Sequence, residues 1–93
     1  MDVYFQFDHD GKLQSPIQPI KSYSGALPAQ GNILLFDGPE AQALESAGLP
    51  PEVWRVHQVA FDVSNGTFSR ATLTLERRDA KAKREVGGLG DAP

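Results

Sequence analysis

Cysteine is missing from all 93 residues. That excludes disulfide staples, thiol nucleophiles and thiolate metal sites together, and makes a cytoplasmic protein the simplest reading. Long hydrophobic runs are missing too. The longest, Ile33-Leu34-Leu35-Phe36, is far short of the roughly 20 apolar residues of a membrane-spanning helix, so no membrane association is expected. The opening residues 1–7 lack the basic segment and apolar run of a signal peptide. An excess of positive charge is also lacking, since the net charge is −3. Residues 1–75 carry four basic side chains against eight acidic ones, a balance of −4, and residues 76–93 carry five against four, a balance of +1. Phosphate backbones repel an acidic body, so nucleic-acid binding is not expected of the folded part.

Recognisable catalytic patterns are lacking as well. The six serines sit in no nucleophile-elbow context, and neither Gly25 nor Gly31 is followed by the Gly-Lys-Ser/Thr of a phosphate loop. Asp8-His9-Asp10 places two carboxylates beside an imidazole. A calcium loop starting at Asp8 would need oxygen ligands where Lys12 and Pro19 stand, so the segment reads as a turn, with no metal. His57 has Arg55 and Thr74 as expected neighbours but no nucleophile to activate. No cofactor is expected, and the chain does not read as an enzyme. Tyr4, Phe5, Phe7, Phe36, Trp54, Phe61 and Phe68 are many large rings for one small domain. Most are expected in its core rather than on a base-stacking platform.

What is present is β structure with clear punctuation. Val3, Phe5 and Phe7 alternate along a first strand, and Asp10-Gly11 predicts a tight turn into a short return strand, residues 12–15. Pro16 and Pro19 confine that strand to an edge. Residues 23–32, with Gly25, Pro28 and Gly31, read as an irregular connection. Residues 33–36 are continuously apolar, which predicts a strand buried on both faces. Asp37 and Glu40 have capping-box spacing and Pro39 suits a first helical turn, so a helix is expected over 38–47 with Ala41, Leu44 and Ala47 on one face. Gly48 is placed to stop it with φ > 0, bringing Leu49 against Leu44.

Residues 53–63 and 67–77 predict a long hairpin around Asn65-Gly66, the residues a type I′ turn prefers. An unbroken register pairs Val63 with Phe68, Ala60 with Ala71, Gln58 with Leu73 and Val56 with Leu75. It then sets Trp54, Val56, Ala60, Ala71, Leu73 and Leu75 on one face and Val59, Phe61, Val63 and Phe68 on the other. Both faces would be partly apolar. Either the hairpin curls over two parts of a core, or Val59, Phe61, Val63 and Phe68 are partner-binding residues. A bulge near His57 would instead merge the two patches.

The expected fold is mostly β: a small antiparallel curled sheet or open SH3-like barrel of four to five strands with one short inserted helix. The alternative is an α+β arrangement with the helix on one sheet face. Residues 1–78 form a single β-rich domain, and residues 79–93, charged then Gly-rich, a flexible tail. The expected function is a non-enzymatic protein-binding module that recognises another protein or a second copy of itself as a homodimer. The alternative is a small acidic inhibitor or accessory protein, of the kind phages and mobile elements encode, that occupies a basic site on a larger target.

Overall fold

Alternation of large apolar and polar residues makes the start of the chain a strand with one buried face. In the computed structural model, which describes residues 1–51 and 54–77, this strand is β1 (Asp2–His9), and Val3, Phe5 and Phe7 are all buried. Asp10 (φ +54°) and Gly11 (φ +78°) both adopt the left-handed backbone of a type I′ turn. The chain returns as β2 (Lys12–Gln14), three residues long and at the sheet edge. The segment after Pro16 contains no strand but runs back along β1. The Val3 and Ile20 amides donate to each other's carbonyls at 2.8 and 2.9 Å, and Tyr23 N–H donates to the Met1 carbonyl at 2.7 Å.

Residues 33–36 depart from expectation. β3 is only Ile33–Leu34, at the opposite edge, and Ile33 and Leu35 are exposed while Leu34 and Phe36 pack against the core. An edge strand of two residues has no neighbour to cover its outward side chains, so the run is not buried on both faces. Helix α1 (Gly38–Ser46) follows, with Pro39 in its first turn. The Asp37 carboxylate makes no cap hydrogen bond, contrary to the capping-box spacing. Gly38 sits at φ +62°, and this left-handed residue diverts the chain between Asp37 and the first turn. The helix stop is as expected. Gly48 has φ +80°, Leu49 N–H donates to the Leu44 carbonyl at 2.8 Å, and Gly48 N–H donates to the Glu45 carbonyl at 3.0 Å. Leu44 is buried and Ala43 packs beside it, whereas Ala47 is exposed.

β4 (Trp54–Ser64) and β5 (Thr67–Arg77) form the long hairpin, with Asn65 at φ +53° and Gly66 at φ +76° in its turn. The sheet order is β2-β1-β5-β4-β3. Three pairings are antiparallel, but β1 lies parallel to β5, with Val3, Phe5 and Phe7 beside Ala71, Leu73 and Leu75. The sheet is therefore mixed rather than antiparallel. Matching three apolar rows buries six side chains, and the intervening elements supply the long crossover a parallel pair requires. The sheet curls into a half-barrel, consistent with a small open barrel.

Its concave face holds the core. Phe7 meets Trp54 edge-on at 4.9 Å, Phe36 meets Phe5 and Phe7 at 5.9 and 5.5 Å, and Leu44, Leu49 and Ile17 close over them. The proposed tail at 79–93 lies outside the described residues.

Candidate protein-binding surface on the hairpin arm

The hairpin register shifts twice. Trp54, Arg55 and Val56 pair with Arg77, Glu76 and Leu75, then Gln58 pairs with Thr74, leaving His57 as the extra residue of a β-bulge. The ladder continues with Val59 opposite Leu73, Ala60 opposite Thr72 and Phe61 opposite Ala71. A second shift leaves Ser69 extra and restores Val63 opposite Phe68. Two of the pairings read from an unbroken register, Ala60 with Ala71 and Gln58 with Leu73, are thus replaced. So is the assignment of faces. His57 absorbs one residue of the alternation, so Val59 and Phe61 share the concave face with Trp54 and Val56, and Ala60 turns to the convex one. The two apolar patches are one stripe.

Along this stripe, burial falls steadily. Trp54 and Val56 are fully buried and Val59 packs against the core partly covered, but Phe61 is 45% exposed, Val63 65% and Phe68 60%. The Phe61 and Phe68 rings lie 5.4 Å apart at a 56° tilt. The stripe outruns the residues that cover it. β1 begins beside Arg70, so on that side no strand among the described residues meets residues 67–69 of β5. On the other side, β3 pairs with Trp54 and Arg55, and Gly31 and Asn32 exchange hydrogen bonds with Val56 at 2.8 Å. Among the described residues, nothing pairs with the outer edge of β4 beyond that point. Residues 57–70 therefore form the outer end of the hairpin, an arm with an apolar concave face that is two-stranded beyond Asp62 and Arg70.

A groove of about 560 Å³ opens at the base of the arm, between Leu27, Pro28, Ala29 and Gln30 on one side and residues 57–59 and Phe61 on the other. His57 stands at its rim, with Nδ1 3.6 Å from Oε1 of the buried Glu76, the residue paired with Arg55, and Thr74, its cross-strand neighbour in an unbroken register, pairs with Gln58. Thr74 donates instead to Gln6 Oε1 at 3.3 Å. At the first turn, His9 Nε2 lies 3.6 Å from Asp10, and the described residues contain no group of three metal-ligating side chains.

The convex side of the arm is polar and its charges are paired. Arg70 donates from Nε to Asp62 at 2.7 Å and stacks 5.1 Å from the Tyr4 ring centroid; this hydrogen bond to Asp62 and the charge of that carboxylate raise the Arg70 pKa. On the other flank of Tyr4, Lys21 lies 5.9 Å from the ring and 3.4 Å from Asp2. The Ser22 N–H donated to Asp2 at 3.0 Å, with Lys21 beside it, holds that carboxyl below its ordinary range. These ions serve each other and leave the arm without net charge. No helix among the described residues is long and apolar enough to cross a membrane. Comparison with family models, curated proteins and solved structures finds no match.

The four partner-binding residues named from sequence thus come together on the arm, with Val59 at the core boundary and the others beyond it. Sequence reasoning passed over Leu27 and Pro28 as groove residues. Their position depends on where the loop lands on β4, and no local pattern encodes that.

Proposed function

We propose that this chain is a non-enzymatic protein-binding module that acts through the concave face of its hairpin arm, at Phe61, Val63 and Phe68 with Val59 at the base. The observation that carries the reading is the run of three large apolar side chains, each about half exposed or more, on a face continuous with the core. Single exposed hydrophobics are ordinary in folded proteins, whereas a contiguous patch projecting from the body marks a contact surface. This face carries no charged side chain and the arm's one acid and one base, Asp62 and Arg70, pair on the other side, which favours a protein over a nucleic acid as the partner.

Phe61→Asp tests this directly. Because Phe61 is nearly half exposed, the variant is expected to keep its circular dichroism and to melt within a few degrees of the parent. Its association, read by light scattering and by cross-linking to bound protein, is expected to be lost. A variant that unfolds places Phe61 in the core. One that melts and associates like the parent removes the arm from consideration.

A second reading, an acidic inhibitor occupying a basic site on a larger target, draws on the −4 balance of residues 1–75. A complex of that kind weakens steeply as salt rises, whereas one made by the arm does not.

A further inference from the structure

The exposed backbone of β4 says what shape of partner the arm accepts. Residues 58–64 carry a row of main-chain donors and acceptors facing outward, and among the described residues no strand meets them. Such an edge is completed by another β-strand. The other edges of this sheet are short or blunted, the open stretch of β5 being only residues 67–69. β2 has three residues, includes Lys12 and is soon followed by Pro16; β3 has two residues. Residues 20–23 cover the remainder of β1. The open stretch of β4, by contrast, is seven residues long and contains no Lys, Arg, Pro or Gly. Its one charge, Asp62, is neutralised by Arg70 of the same hairpin.

We infer that the occupant of this edge is β4 of a second copy, paired antiparallel about a two-fold axis at Phe61. The inference rests on the reading of the arm as a protein-binding surface and names its partner. Three features of the arm point to a copy of itself. Full overlap of residues 58–64 with themselves centres on Phe61, and the concave-face residues Val59, Phe61 and Val63 are symmetric about that point. Val59 then faces Val63 of the second copy and Phe61 faces its own equivalent, so apolar meets apolar on the concave side. The neighbouring register, centred on Asp62, would oppose two like charges, which disfavours it. Lastly, residues 57–70 hold one acid and one base and are neutral with His57 uncharged, whereas the rest of residues 1–75 carries the entire −4. The arm is where two copies of an acidic protein approach with least repulsion. In this register Ser64 of the second copy ends opposite Gln58, at the mouth of the groove beside Leu27 and Pro28.

The same register sets Ala60 opposite Asp62 of the second copy, twice across the axis, on the exposed convex side. Sedimentation equilibrium of the full chain over micromolar to millimolar concentration, with Ala60→Lys and Ala60→Glu alongside, tests the pairing. The parent is expected to dimerise reversibly. Ala60→Lys should tighten the dimer roughly two- to thirtyfold and Ala60→Glu weaken it by a similar factor, from two opposite- or like-charge cross-strand pairs. Both variants should melt like the parent at low concentration. A parent that stays monomeric throughout overturns the inference, and so does a dimer that both substitutions leave unmoved or shift in the same direction. If the parent is monomeric but a different protein is captured in a Phe61-dependent way, the inference falls and the arm remains a binding surface. If Phe61→Asp changes neither, both fall.

Discussion

Trp54→Ala should leave the protein largely unfolded at ordinary temperatures. Trp54 is fully buried at the inner end of the arm, edge-on to Phe7, and its indole N–H donates to the Pro50 carbonyl. It also pairs with Leu34 on β3 and Arg77 on β5, so its side chain lies where three strands and the loop after α1 converge. Truncating a buried tryptophan costs about 3–5 kcal/mol through lost burial and the cavity left behind. For a domain of this size that corresponds to a fall in Tm of roughly 12–40 °C. The whole stability of such a domain is only about 5–15 kcal/mol, and a small one lies toward the lower end. Thermal unfolding followed by circular dichroism checks the expectation, and a shift of only a few degrees would contradict the placement of the core. The contrast with Phe61→Asp is instructive, because the two residues stand on the same face of the same strand. One should unfold the protein when cut back, and the other should tolerate a charge.

Leu44→Ala should detach the helix. Leu44 is the one buried residue of α1, and its carbonyl accepts the Leu49 N–H that completes the helix stop. A nine-residue helix is not stable alone in water, so its order depends chiefly on that buried anchor, with the smaller Ala43 beside it and Leu49 beyond it. The expected cost is about 2–5 kcal/mol, with the helical circular-dichroism signal lost in the same transition or before it. Ala47→Ser is the control, because Ala47 is exposed and its replacement should change little. If Leu44→Ala melts like the parent, the helix is held by something other than this contact.

How much of this was legible in the sequence depends on how local each cause is. The alternation of Val3, Phe5 and Phe7, the two type I′ turns and the Gly48 stop each rest on a few neighbouring residues, and each could be read. The parallel pairing of β1 with β5 joins residues more than sixty positions apart and leaves no mark on either strand. The Asp37 cap failed because its spacing says nothing about the left-handed turn at Gly38 that follows. The bulge did leave a trace. Trp54 and Val56 keep one phase of the period-two pattern, while Val59, Phe61 and Val63 keep the other, and the phase breaks at His57. Reading the strand as unbroken split one apolar stripe into two faces. The four candidate residues do come together, on the concave side rather than the side an unbroken register assigns, and the alternative of a bulge near His57 is the one the register follows.

Amide hydrogen exchange along β4, compared at low and high protein concentration, tests most directly whether the arm is where this protein meets a second copy. The outward-facing amides of residues 58–64, those not bonded to β5, should gain protection as concentration rises, while those of the already paired β1 keep their rates. In Phe61→Asp the same amides should stay unprotected at every concentration. Exchange along residues 58–64 that is independent of concentration and identical in the parent and Phe61→Asp would contradict the account.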